Sequence, residues 1–266
     1  ATTSGSGSGT GSYAADAAGN TVSRTAAGGV QQTLVWDELN QLTEVRQGSD
    51  TVARMVYDAA GSRLLRQEKN TTTLYVAGSE FTVTGSGAQP PLQGGTVSVS
   101  ALRYYTHAGQ TLAVRTGASN DTVTTLVPDW QGTTHQQVVN ASGALSTVWQ
   151  DPYGGRRGVA PSSWTGERSF VGGTQDATGL VRVGARDYDA VLGRFVTVDP
   201  VQDLSDPLQW NSYLYASNSP VTKSDPSGLR TPPDDGPPPK PGPGYHPGGG
   251  GGSSPGRGGS GPAGSG

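Results

Sequence analysis

The sequence contains no cysteine. That excludes a disulfide framework and a thiolate metal site, and leaves the cellular compartment open. An excess of basic charge is also missing. The 18 Lys and Arg stand against 21 Asp and Glu, a net charge of −3, so there is no electrostatic footprint for nucleic acid. No apolar run approaches the roughly 18 residues of a membrane helix. No starting Met and no signal peptide are present, and the chain reads as a fragment of something longer. The three histidines, His107, His135 and His246, are isolated and make no H-x-x-x-H pattern. The G-x-S-x-G string Gly5-Ser6-Gly7-Ser8-Gly9 lies in low-complexity sequence with no strand before it, so it is not a nucleophile elbow. The Gly-rich runs lack the Lys-Ser/Thr and helix of a phosphate loop. No cofactor and no metal are expected.

What the chain has is glycine, 42 residues of 266, together with 19 prolines. Glycine at more than twice its usual share of roughly 7% argues against a helical bundle. It is unevenly spread. Residues 1–12 form a flexible Gly/Ser segment. Residues 230–266 are 14 Gly and 10 Pro in 37 positions, too little apolar surface to offset ordering, and are expected to be a disordered tail.

Between these ends, short runs of Val, Thr, Leu and Tyr alternate with polar residues. Gln32–Trp36, Thr51–Tyr57, Thr73–Val76, Thr111–Arg115 and Thr122–Val127 have the period-2, β-branched character of strands. The class is all-β. A repeat runs through it. Asp16-Ala17-Ala18-Gly19, Asp37-Glu38-Leu39-Asn40 and Asp58-Ala59-Ala60-Gly61 begin 21 residues apart. In each, Asp starts a turn by binding the backbone ahead of it, and Gly or Asn closes it with φ > 0. Trp36 and Tyr57 precede their Asp and are expected to pack on the next unit. One strand–turn–strand unit cannot cover its own apolar face, so units must stack. Looser copies run over Tyr105–Leu112 and Asp129–Thr133. Asp16, Asp37 and Asp58 offer one carboxylate each, too few for a calcium loop. Trp130, Trp149, Trp164 and Trp210 are expected to pack in the core of the repeats, with sugar stacking as the other reading.

These aromatic–Asp–x–x–Gly units resemble the YD repeats of Rhs-type proteins. A more specific string follows: Arg186-Asp187-Tyr188-Asp189, then Gly193-Arg194-Phe195, Asp199-Pro200, Asn211-Ser212-Tyr213-Leu214-Tyr215, Asn218-Ser219-Pro220 and Asp225-Pro226-Ser227-Gly228-Leu229. It is similar to the Rhs repeat-associated core, as found in polymorphic toxins and in shells like the Tc-toxin C component. The resemblance spans roughly residues 13–229. It implies a β-sheet spiral of repeats over 13–149, a wall fragment of a hollow shell. A core domain over 150–229 would plug it, and the tail would stand in the toxin position. It departs from the family between Asp199 and Asn211, where Val201–Trp210 replaces a Gly-rich stretch and would move Asp225 if longer.

In many relatives the core is an aspartyl autoprotease that cuts after the D-P-x-G-L string. Carried over, the scissile bond is Leu229–Arg230 and the catalytic residues are Arg186, Asp199 and Asp225. Two carboxylates held close cannot both ionise, so they share a proton, one accepting from water and one protonating the carbonyl. Arg186 either holds one carboxylate ionised or stabilises the developing oxyanion. The substrate is the protein's own strand, and the reaction is a single turnover. The implied partners are a C-terminal toxin or cargo segment absent from this chain, a secretion or delivery machinery, and an immunity protein. The implied setting is secreted or at a bacterial cell surface. Read without the resemblance, each Asp-Pro is a turn start, Arg186 and Arg194 are surface partners of Asp187 or Asp189, and the chain is a non-cleaving scaffold. About 215 foldable residues give a curled sheet with open, aggregation-prone edges.

Overall fold

The computed structural model describes residues 12–26, 28–85, 97–117, 122–201, 207 and 210–229. The Gly/Ser start and the Pro/Gly-rich tail lie outside the described residues. Thirteen strands form one antiparallel meander in chain order. They are β1 (Ala14–Ala15), β2 (Thr21–Thr25), β3 (Gln31–Trp36), β4 (Leu42–Gln47), β5 (Asp50–Tyr57), β6 (Arg63–Glu68) and β7 (Thr71–Val76). The meander continues with β8 (Ser79–Gly85), β9 (Val97–His107), β10 (Gln110–Thr116), β11 (Val123–Pro128), β12 (Thr134–Val139) and β13 (Leu145–Thr147). A two-stranded sheet follows, β14 (Trp149–Gln150) with β15 (Arg156–Arg157). A four-stranded one comes after it, of β16 (Thr174–Gln175), β17 (Val181–Val183), β18 (Arg186–Asp189) and β19 (Arg194–Phe195). The fold is all-β, as the sequence pattern requires. The open edges of the large sheet, β1 and β13, are only two and three residues long. Such short edges give another chain little to pair with.

The repeat turns share one geometry. At Asp16, Asp37, Asp58, Asp129 and Asp151 the Asp amide donates to the carbonyl four residues on. The amide three residues on donates back to the Asp carbonyl. The carboxylate Oδ1 accepts the amide four residues on at 2.8–2.9 Å. The backbone frame recurs at Asp176. Its fourth residue has positive φ in every case (Gly19, Asn40, Gly61, Gly132, Gly154, Gly179), which explains the Gly or Asn there. The copy at Tyr105–Leu112 is different. His107 pairs directly with Gln110, and Ala108 and Gly109, both at positive φ, make a two-residue hairpin. The five-residue frame is absent there, whereas it does form without an Asp at Ala26 and at Ser169, each with a positive-φ Gly three residues on.

The aromatics reach back rather than forward. The Trp36 indole donates to the Thr21 carbonyl and the Tyr57 hydroxyl to the Leu42 carbonyl, both at 2.8 Å. Each thus ties its unit to the first strand residue after the preceding turn. Three of the tryptophans expected in the core, Trp130, Trp149 and Trp210, are instead exposed. Trp130 occupies the second position of the Asp129 turn, whose tip faces outward. Trp149 sits on the small β14–β15 ribbon.

The C-terminal segment packs on one face of the meander. Leu180 and Val196 join Leu34, Leu42, Val45, Ala53 and Met55 in one core. Phe170, Val181, Tyr188, Phe195 and Tyr215 make a second, with Phe170 stacked on Tyr188 at 5.2 Å. Buried ions cross the same seam. Arg63 pairs with Asp176 at 3.0 Å, and Arg66 binds both oxygens of Glu167.

Candidate functional site

Arg186 opens β18, directly after the Gly184-Ala185 hairpin that joins it to β17. The Asp225–Gly228 turn lies across this hairpin. The Ala185 amide donates to the Ser227 carbonyl at 2.9 Å, and the Gly228 amide closes the turn on the Asp225 carbonyl at 3.3 Å. Both glycines have positive φ, +54° and +64°. A Cβ on Gly184 would overlap the Ser227 carbonyl, and one on Gly228 the Val183 carbonyl. Backbone therefore meets backbone, an approach only glycine permits.

That approach brings Asp225 under Arg186. The guanidinium carbon lies over the Phe195 ring, 3.7 Å from its centroid, and each of its three nitrogens has a partner. Nε donates to the Gly228 carbonyl, and Nη1 to the Ser212 carbonyl at 2.9 Å. Nη2 meets Asp199 Oδ2 at 2.8 Å and Asp225 Oδ2 at 3.4 Å. The two carboxyl oxygens are thus no further apart than one nitrogen between them allows. The altered segment 201–210 does not carry Asp225 away.

Arg186 and Asp225 are buried, and Asp199 is half-buried. Arg186 is therefore not a surface partner of its neighbours. Asp187 pairs with Arg182 at 2.9 Å and Asp189 with Arg24 at 2.7 Å. Burial pushes the Asp199 carboxyl above its ordinary value, with Asp225 adding to the push. Arg186 and the Val201 amide act against it. Burial likewise draws Arg186 down, opposed by the two carboxylates. A raised carboxyl beside a second one is the electrostatic arrangement in which one proton serves two groups.

Leu229 is the last described residue, half-buried. Its amide donates to Ser227 Oγ at 3.2 Å, and that hydroxyl donates to Asp225 Oδ1 at 2.9 Å. Arg230 lies outside the described residues. Sequence reasoning missed Gly184, Ser212, Ser227 and the Phe195 platform, because nothing in their spacing links residue 184 to residue 228.

No family model matches the chain. In sequence, 53 residues, 20% of the chain, are 43% identical to Salivary gland surface protein 1 of Aedes aegypti, covering 1% of that protein. In structure, the crystal structure of TcdB2-TccC3 matches 83% of the chain with a TM-score of 0.61 at 20% identity. The TcdB2-TccC3-Cdc42 structure gives 0.59 at the same identity and coverage. The Tc holotoxin pore of Photorhabdus luminescens gives 0.60, again at 20% identity over 83% of the chain. The fold is the one those Tc toxin complexes contain. The chain spans 13–14% of the matched chains in these structures.

A separate cleft of about 230 Å³ is lined by Asp129, Trp130, His135, Gln150 and Asp151 among others, and contains none of the three proposed catalytic residues. His135 Nε2 lies 3.0 Å from Asp129 Oδ2 there. Among the described residues, no cluster of His, Asp or Glu could hold a metal ion. No helix among them is long and apolar enough to cross a membrane.

Proposed function

We propose that the chain is the C-terminal part of an Rhs/YD-repeat shell that encloses a cargo segment. In this reading residues 13–149 are wall and 150–229 are a plug that cuts its own Leu229–Arg230 bond. The observation that carries the reading is the convergence of Asp199 and Asp225, 26 residues apart in sequence, on one nitrogen of Arg186, whose Nε holds the Gly228 carbonyl just before Leu229.

The chemistry assigns roles. Water attacks the Leu229 carbonyl carbon while Asp225 takes its proton. Asp199, the carboxyl that burial raises, protonates the carbonyl oxygen. The tetrahedral diol then collapses, the C–N bond breaks, and a proton passes to the Arg230 nitrogen. The products are a Leu229 carboxylate and a new amino terminus. Arg186 is committed to orienting the carboxylates and the strand, which favours the first of its two roles. The strand is supplied by the chain itself, so a modest site suffices. The partners in this reading are the released segment, a delivery machinery and an immunity protein, and the setting is outside the producing bacterium.

A second reading rests on the same cluster. Each guanidinium nitrogen of Arg186 already has a partner, as it would in a lock that pins the last turn of a non-cleaving scaffold. One experiment separates the two. The full chain with a C-terminal tag is expressed and its mass measured. Self-cleavage gives a fragment ending at Leu229, and D199N and D225N remain intact. A wild-type chain that stays whole leaves the scaffold.

A further inference from the structure

We propose that Ser227 is a positioning residue for the cut, a clamp that couples the scissile strand to Asp225. The inference rests on the autoproteolytic reading. Its basis is the use of the Ser227 hydroxyl in both senses. A hydroxyl has one proton to give and lone pairs to receive. Here it gives the proton to Asp225 Oδ1 at 2.9 Å and receives the Leu229 N–H at 3.2 Å.

The consequence lies in the peptide group between Gly228 and Leu229. Its carbonyl is held by Arg186 Nε and its N–H by Ser227 Oγ. A peptide group is planar, so fixing both ends fixes its orientation. Only the two backbone torsions of Leu229 then separate this clamped group from the bond to be cut. Ser227 at the same time occupies Asp225 Oδ1, leaving Oδ2 as the oxygen turned toward Arg186 and Asp199. One side chain therefore sets both the carboxylate's rotation and the strand's path.

Ser227 is itself held from the backbone side, because its carbonyl receives the Ala185 amide and abuts Gly184. The clamp is thus anchored to the β17–β18 hairpin that carries Arg186. The Asp, the Arg and the strand are indexed to one hairpin, which serves the positioning an intramolecular reaction requires.

The test measures the single-turnover cleavage rate of the full chain against pH for wild type, Ser227→Ala and Ser227→Thr. Thermal melting is recorded on D225N backgrounds, which hold the chain uncut. Ser227→Ala is expected to cleave at least about tenfold more slowly, since small misplacements of a reacting group cost this much or more. Its pH–rate profile is expected to differ in shape from that of the wild type, because the carboxylate facing the strand has lost a hydrogen-bond donor. Ser227→Thr, which keeps the hydroxyl, is expected to restore both rate and profile. Ser227→Ala cleaving at the wild-type rate and profile, or Ser227→Thr failing as Ser227→Ala does with its melting unchanged, overturns the clamp and leaves autoproteolysis standing. A wild-type chain that never cleaves overturns autoproteolysis, and the clamp with it.

Discussion

Arg24 and Asp189, 165 residues apart, form a 2.7 Å ion pair in which both side chains are almost wholly buried. Arg24 also donates to Gln32 Oε1 and to the Thr178 carbonyl, and Asp189 Oδ1 accepts the Val191 amide. The pair therefore joins the second strand of the meander to the end of β18, three residues past Arg186. Replacing Arg24 by Met leaves a buried carboxylate with its charge uncompensated. That is expected to cost about 3–5 kcal/mol, read as a shift of the urea midpoint. A change below about 1 kcal/mol would mean the seam is held by its apolar core alone.

The backward reach of the aromatics makes a smaller prediction. Tyr57→Phe keeps the ring and removes the bond to the Leu42 carbonyl. It is expected to destabilise by about 1 kcal/mol. Since the same bond recurs from Trp36 to Thr21 one repeat earlier, Trp36→Phe should lose a similar hydrogen-bond contribution on top of its lost packing. Equilibrium denaturation of the two single variants and the double checks both the sizes and their additivity.

The thirteen-strand meander was legible in the sequence because its information is local. An Asp with a φ > 0 residue three positions on marks each of the repeat turns, so a 21-residue interval reads straight into strands. The seam was not legible. Arg24 with Asp189, Arg63 with Asp176 and Arg66 with Glu167 are each more than 100 positions apart, and a lone Arg in a strand carries no sign of being buried. The candidate site falls between these cases. Arg186, Asp199 and Asp225 were named through a resemblance, not by a spacing rule, since separations of 13 and 26 residues match no local geometry. The exposure of Trp130 was missed because its turn position, rather than its hydrophobicity, decides where it points.

Glu80 gives a pH dependence with a definite sign. Its carboxyl is buried, and this burial, with Glu167 nearby, pushes it up to about 7, while Arg168, the Tyr104 hydroxyl and Arg66 pull the other way. The folded chain therefore keeps a proton that the unfolded chain, with an ordinary value of 4.5, has released. Between about pH 4.5 and 7 the folded state binds more protons, so this contribution falls as pH rises and is level above 7. The loss attributable to Glu80 is at most about 3 kcal/mol. Urea denaturation of wild type and Glu80→Gln at pH 4.5, 6 and 7.5 isolates it. The wild type is expected to lose stability relative to the variant across the series, and parallel curves would exclude the effect.

The two glycines of the site are separable from glycines that only turn the chain. Gly48, at φ +61°, has nothing within 4 Å of where a Cβ would stand, so Gly48→Ala carries backbone strain alone, about 1 kcal/mol. Gly184→Ala carries the same strain and also drives a methyl into the Ser227 carbonyl. The Ala185 to Ser227 hydrogen bond must break, and the Asp225–Gly228 turn must lift off the hairpin. The expected cost is about 3 kcal/mol, and self-cleavage should be lost even where the variant remains folded, because Asp225 moves away with the turn. Melting temperature and intact mass of the two variants, side by side, test this. A Gly184→Ala chain that melts like Gly48→Ala and still ends at Leu229 would show that the close backbone approach is not what assembles the site.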